Sequence, residues 1–188
     1  MAVRLLKGQE IAITRNYPGL RRLNVSLGWN LSCCGKEHYD LDSSVFLCDA
    51  KGRALSSRHF VFYNNPADPG GAVAHLGDNR TGAGKNEEIL IDLEKLEPGV
   101  VRMVFAVTIH NGEDRKQSFG QVDNSYLRIL DESSGEEIVR FDLKNDFSSE
   151  TGIIIGEICR EGQEWKFRAD GQGFSGGLRN IVMHHGLL

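Results

Sequence analysis

Cysteine is scarce in this chain and nowhere arranged for chemistry. Of the four present, Cys33 and Cys34 are neighbours while Cys48 and Cys159 stand apart, so the Cys-x-x-Cys spacing of a zinc ribbon or redox pair is missing. Buried, idle thiols are the default for such residues, and capture of metalloid oxyanions by Cys33 and Cys34 has no spacing argument behind it. Long apolar runs are absent as well. No segment approaches the roughly twenty residues of a transmembrane helix, and Met1 to Gly8 turns polar too soon for a signal peptide, so a cytoplasmic chain without a transmembrane segment is expected. Nor is there an excess of positive charge. With 22 basic against 26 acidic residues the net charge is −4, which argues against a general affinity for nucleic acid or anionic membranes.

Helical periodicity is also nearly absent until the C-terminus. What is there instead is a succession of short apolar or alternating runs: Glu10 to Thr14, Leu23 to Trp29, Asp40 to Asp49, His59 to Tyr63, Glu88 to Leu93, Val101 to His110, Ser125 to Asp131, Glu136 to Leu143, Gly152 to Arg160 and Trp165 to Ala169. Their separators, such as Pro18-Gly19, Asp49 to Gly52, Pro66 to Gly71, Pro98-Gly99 and Ser133 to Gly135, carry the turn chemistry of an all-β chain. The expected fold is a β-sandwich of two mainly antiparallel sheets with long loops, formed as one domain over residues 1–188. Leu23, Val25 and Leu27 alternate with Asn24, Ser26 and Gly28, which gives one buried and one wet face. Met103 to Ile109 is apolar on both faces and predicts a central strand covered from both sides. Leu178, Ile181, Val182 and His185 fall at helical spacing, so a short helix within Gly176 to Leu188 is expected to pack on the sandwich.

The one stretch that suggests a binding chemistry runs from Gly77 to Glu88, a glycine-rich loop with oxygen ligands and neither histidine nor cysteine. That composition suits a hard cation. Calcium takes six to eight oxygens at roughly 2.3 to 2.6 Å in flexible geometry; Asp78, Asn79, Glu87 and Glu88 supply side-chain oxygens, and Gly82 and Gly84 allow the backbone to bend its carbonyls inward. Arg80 stands where an EF-hand would need its second oxygen ligand, so the loop is of another type. The same residues are also ordinary turn formers. A second acidic stretch, Asp40-Leu41-Asp42, opens a strand in which both carboxylates project to one face, about 6.7 Å apart along the chain. Like charges at about 4 Å and an effective dielectric near 20 repel by roughly 4 kcal/mol, which a bound cation relieves.

Leu27-Gly28-Trp29, Asp40 to Ser44, Phe60 to Asn65, Gly77 to Gly82, Phe119 to Val122, Glu164 to Ala169 and Gly171-Gln172-Gly173 together resemble the TerD-like tellurium-resistance and stress-response family, in order over nearly the whole chain. The resemblance implies a calcium-binding β-sandwich without enzymatic activity, acting in resistance to tellurite and other chemical stress alongside protein partners that include membrane-associated Ter proteins. Carried over by position, it implies Asp40, Asp42, Asp78 and Asn79 as metal ligands, with Glu88 closing the loop. The family's usual acidic run after Asn-Arg-Thr-Gly is here Gly82-Ala83-Gly84-Lys85-Asn86-Glu87-Glu88. Fewer carboxylates and an added lysine weaken a calcium site and put a second site in question. Asn64, Asn65, Asp68, Asp146 and Glu150 are reserve ligands.

Other polar clusters carry less. His110, Glu113 and Asp114 share one polar loop without a nucleophile and read as a solvated turn. His184 and His185 are adjacent and poorly placed to share one zinc ion. Trp29 and Trp165 lie in strands, where a large aromatic is core rather than a sugar platform. Beside the stress-response module stands an alternative of another class, a calcium-dependent membrane-surface or carbohydrate binder. Membrane insertion would call for apolar residues at the loop apex, and only Leu76 and Ala83 are there.

Overall fold

The structure is a computed structural model, describing residues 2–31, 39–77, 87–143, 147 and 149–188. In chain order its elements are β1 (Val3–Leu5), β2 (Glu10–Ala12), α1 (Ile13–Asn16), β3 (Arg22–Leu31), β4 (Leu41–Cys48), β5 (Phe60–Val61), β6 (Val73–His75), β7 (Glu87–Asp92), β8 (Arg102–Ile109), β9 (Val122–Asp131), β10 (Glu137–Asp142), β11 (Gly152–Glu161), β12 (Glu164–Phe174) and α2 (Gly177–His184). The strands form two six-stranded sheets, ordered β1-β10-β9-β3-β7-β6 and β2-β12-β11-β8-β4-β5. All neighbours pair antiparallel except β1 with β10. This is the expected all-β sandwich.

Alternation decides which side chains meet. Leu23, Val25 and Leu27 of β3, with Ile89 and Ile91 of β7, face Val45 and Leu47 of β4 and Met103, Phe105 and Val107 of β8 in one core between the sheets. Fully burying each aliphatic or aromatic side chain contributes about 1.5–3 kcal/mol. The remaining positions of β4 and β8 turn outward, and there Phe46, Cys48, Val104 and Ala106 form a second cluster with Ile181 of α2. The Met103 to Ile109 run is therefore covered from both sides, by the opposite sheet and by the helix. Trp29 and Trp165 are both buried, as core residues.

Some boundaries differ from those expected. The strand read from Glu10 to Thr14 ends at Ala12, and Ile13–Asn16 turn helical. The reason is local: the Thr14 hydroxyl accepts the Trp165 N–H at 2.8 Å, so a side chain replaces the backbone carbonyl that would have continued the ladder. The strand expected from His59 to Tyr63 shrinks to Phe60–Val61 behind a 3₁₀ turn at Ser57–His59. Conversely, β12 runs on through Gly171 and Gly173 to Phe174, beyond the expected Trp165 to Ala169. The three-residue strands β1 and β6 are too short for a period-two signal.

One glycine is required by packing. The register of β11 shifts between Ile154 and Gly156 against both neighbours, the signature of a bulge. A Cβ on Gly156 would lie 2.6 Å from the Arg168 carbonyl oxygen and 2.8 Å from the Phe167 ring. Backbone cannot yield cheaply, so Gly156→Ala is expected to destabilise by about 1–3 kcal/mol and lower the melting temperature by roughly 2–12 °C. Thermal denaturation measures it, and an unchanged melting temperature would mean that the bulge relaxes freely.

Candidate metal centre

The start of β4 carries the acidic residues. Its odd positions face the inter-sheet core and its even positions face outward, so Asp42 points to the same side as Phe46 and Cys48. It pairs in register with Thr108 of β8 and is 8 % exposed. Its Oδ2 lies 3.2 Å from His110 Nδ1. Asp40 precedes the strand and its carbonyl accepts the His110 N–H at 2.8 Å. Its carboxylate Oδ1 is buried without a hydrogen-bond partner among the described residues. Burial first, then the charges of Glu87 and Asp40, push the Asp42 carboxyl up to about 6, against the opposing pull of His110. A carboxyl in that range marks a place where negative charge is crowded and poorly hydrated.

On the other side of β4 the intervening residue, Ser43, faces inward and meets two groups from the first sheet. Its N–H donates to Glu87 Oε2 at 2.5 Å, and its hydroxyl lies 2.9 Å from His75 Nε2. The Gly77 N–H donates to His75 Nδ1 at 3.1 Å, which leaves the proton of the neutral ring on Nε2, directed at Ser43 and 3.6 Å from Glu87 Oε2. Glu87 and His75 are both buried. These residues flank residues 78–86 on either side, and the β6–β7 pairing of His75 with Ile89 holds the two stems together.

The structure therefore brings Asp40, Asp42 and Glu87 into one electrostatic neighbourhood. It does not bring Glu88. Alternation along β7 turns Glu88 to the outer face of the first sheet, where its carboxylate accepts Asn24 Nδ2 at 3.0 Å. Asp78 and Asn79 lie outside the described residues, as do Lys85 and Asp146. Asn64 is exposed. Asn65 donates to the carbonyls of Phe60 and Arg58 at 2.7 and 3.2 Å, and Asp68 accepts from the N–H groups of Val73 and Gly70 at 2.7 and 3.0 Å; both are turn staples. Glu150 accepts the Ser149 N–H at 3.0 Å. Ser43 and His75 were not singled out from sequence, Ser43 standing between the polar Asp42 and Ser44. His110 is half-buried against Asp42, where a solvated turn was expected. Among the described residues no group of three acidic, histidine or cysteine side chains is placed to hold a metal ion.

Over this geometry the TerD domain family matches residues 1–185. The chain belongs to the TerD family. It is 45 % identical to general stress protein 16U of Bacillus subtilis, covering all of this chain and 98 % of that protein. It is 39 % identical to the tellurium resistance protein TerD of Serratia marcescens, again with 100 % and 98 % covered. Among solved structures, a homologue of telluride resistance protein TerD from Streptomyces coelicolor A3(2) superposes with a TM-score of 0.69 over 90 % of this chain and 100 % of that one, at 22 % identity; that likeness bears on the fold. No helix among the described residues is long and apolar enough to cross a membrane.

Two further TerD-chain features resolve. Cys48 and Cys159 are free, and burial pushes both thiols up to about 12, so neither is a ready nucleophile; Cys33 and Cys34 lie outside the described residues. His185 is buried and donates Nδ1–H to the Gly52 carbonyl at 2.8 Å while His184 is exposed, so the pair does not act as one ligand set.

The Asp42 shift has a testable consequence. A carboxyl whose folded pKa, about 6, exceeds its unfolded value holds its proton longer in the folded state, so metal-free stability falls as pH rises from about 4 through about 6. Asp42→Asn is expected to flatten that slope in urea denaturation at a series of pH values in EDTA. An identical slope in parent and variant would remove Asp42 as its source.

Proposed function

We propose that this TerD-family chain is a calcium-binding, non-enzymatic stress-response protein in which the ion draws the segment from Gly77 to Glu88 against the start of β4 and so orders a surface for a protein partner. The observation that carries the reading is the carboxylate chemistry at that strand end: Asp40 Oδ1 is buried without a partner among the described residues, beside an Asp42 whose carboxyl is pushed up to about 6. An oxygen-rich donor set with mixed geometry suits calcium, whereas magnesium demands near-octahedral coordination and releases water reluctantly. Asp40 and Asp42 would hold the ion from the described side, joined by Asp78 and Asn79, with Glu87 adding negative charge from the inner side of β4. A calcium ion there supplies the positive charge that lets these carboxylates stay ionised together.

The names of the relatives support the biological half of the reading. General stress protein 16U and tellurium resistance protein TerD cover this chain end to end. Membrane-associated Ter proteins and a cytoplasmic location remain part of the same proposal. A hydrolase is disfavoured on geometry. Ser43, His75 and Glu87 have the composition of a catalytic triad, yet the serine hydroxyl and the carboxylate oxygen approach the same imidazole nitrogen, at 2.9 and 3.6 Å. A relay needs the acid on one nitrogen and the nucleophile on the other. All three are also buried. Beside the loop stem, Leu76 is an isolated exposed apolar residue, which favours a protein-interaction module over membrane insertion.

Isothermal calorimetry decides the calcium claim. Calcium is expected to bind more tightly than magnesium, and Asp42→Ala and Asp78→Ala each to abolish most of the affinity although they come from separate stretches. Absence of heat at millimolar calcium, or a stronger response to magnesium, would sink the reading. Lys85→Asp restores the acidic loop and is expected to tighten calcium. A variant that binds no tighter would place Lys85 beyond the field of the site.

A further inference from the structure

Where α2 lies on the second sheet, its two ends are held by different chemistry. At the N-terminal end the Gly176 N–H donates to the Glu113 carboxylate at 2.7 Å and the Gly177 N–H to the Thr151 hydroxyl at 2.9 Å, and the chain enters the helix through these two glycines, both left-handed at φ 81° and 55°. At the C-terminal end the hold is centred on one histidine. His185 is 3 % exposed. Its carbonyl accepts the Ala54 N–H at 3.0 Å, its Nδ1 lies 2.8 Å from the Gly52 carbonyl, and its ring centre is 4.5 Å from that of Phe46. A carbonyl can only accept, so Nδ1 carries the proton of the neutral ring and Nε2 is a bare lone pair. Nε2 is buried without a hydrogen-bond partner among the described residues. Between the two ends Ile181 covers Phe46, Phe60, Val104, Ala106 and Ile154.

We propose that His185 is a proton-operated latch for α2: protonation of Nε2 releases the C-terminal end of the helix from the turn at Gly52 to Ala54 and uncovers the apolar face beneath Ile181, while the Glu113 and Thr151 contacts keep the N-terminal end as a hinge. A proton on Nε2 creates a buried cation with no acceptor, and lifting the helix end hydrates it. Burial accordingly depresses the imidazole below its ordinary value, with His184 adding to the effect and the Gly52 carbonyl and Glu157 opposing it. The groups packed around the ring leave the cation uncompensated. Glu157 of β11 is already engaged by Arg168 at 2.6 Å and by Arg102 of β8 at 3.4 Å. Asp49, after β4, is taken by the Lys51 and Arg53 N–H groups. The Arg53 guanidinium packs at Gly186, the His184 ring stands edge-on at 5.1 Å, and the Cys48 thiol, 3.8 Å from Nδ1, is kept neutral because burial pushes it up to about 12. A base depressed in the docked state gives docking that is constant above about pH 6.5 and weakens as pH falls below it, tenfold per unit until the docked ring itself titrates. Asp42 acts in the opposite sense, since its raised carboxyl favours the metal-free fold as pH falls through about 6, so the two titrations are distinguishable.

The test is amide hydrogen exchange of the full chain in EDTA between about pH 7.5 and about pH 5, expressed as protection factors, together with nitrogen NMR of the His185 ring. The expected results are the Nδ1–H tautomer at the upper end and protection at Ala54 and from Ile181 to Leu187 that is level above about pH 6.5 and falls up to tenfold per unit below it. Val25 and Ile129, in the inter-sheet core, are expected not to fall with it. His185→Asn keeps a donor for the Gly52 carbonyl and does not titrate, so its helix protection is expected to stay flat, whereas His184→Gln is expected to follow the parent. Level helix protection in the parent, an equal fall in His185→Asn, a fall shared by Val25 and Ile129, or an Nε2–H tautomer would overturn the proposal. If His185→Asn leaves the helix unprotected throughout, the tautomer and the site-resolved profile of the parent decide by the same criteria. Every arm contains EDTA and alters no proposed calcium ligand, so the latch and the calcium reading stand or fall separately.

Discussion

The hydrogen bond from the Ser43 N–H to the Glu87 carboxylate, 2.5 Å long, is the contact on which the acidic end of the molecule depends. It joins the two sheets at the point where their apolar core gives way to polar groups. An ionised carboxylate taken out of water costs several kcal/mol unless hydrogen bonds replace its hydration, so Glu87 can be buried only where such donors converge. Ser43 supplies its amide to Glu87 and its hydroxyl to His75, and Gly77 completes the imidazole. Both stems of the glycine-rich loop are thereby referred to one residue of β4. On that residue's two sides in the chain lie Ser44 and Asp42, and the charge of Glu87 is felt by Asp42 through the strand.

Strand alternation then separates two chemistries that adjoin in sequence. Inward from β4 is a buried, hydrogen-bonded cluster around Glu87; outward is a recess lined by Asp42 and His110 and bounded by the start of α2. The helix matters to the second. Ile181 is fully buried against Phe46, Cys48, Phe60, Val104, Ala106 and Ile154, which sets the position of Gly176 to Leu178 at the mouth of the recess. The Glu113 carboxylate on the Gly176 N–H fastens the loop after β8 to the same helix end, and the favourable pairing of a negative side chain with a helix N-terminus adds to it.

Much of the fold was legible because its signal is local. Period-two alternation in Leu23 to Gly28 and continuous apolarity in Met103 to Ile109 report burial directly, and the C-terminal helix announces itself by spacing. Where a side chain substituted for backbone, as Thr14 does for the β12 ladder, or where a strand has three residues, pattern had nothing to act on. The candidate site was legible in its residue types and not in its facing. Glu87 and Glu88 offer the same chemistry, and only the register of β7 against β3, with Ser26 opposite Glu88, sends one inward to Ser43 and the other outward to Asn24. Ser43 and His75 gave no sequence signal of their own, because their roles are defined by partners 44 and 32 residues away.

If the carboxylates of β4 and the glycine-rich loop close on one calcium ion, backbone groups at their junction must change their opening equilibrium when the ion binds, since a ligand that binds only the assembled form shifts populations toward it. Amide hydrogen exchange with and without calcium reads this at single residues. The account predicts slower exchange at Ser43, at Gly77 and at Glu87, with the turn at Ser133 to Gly135 unchanged. Equal exchange at Ser43 and Gly77 in the two states, or the same protection spread uniformly over the distant turns, would contradict a metal-ordered loop.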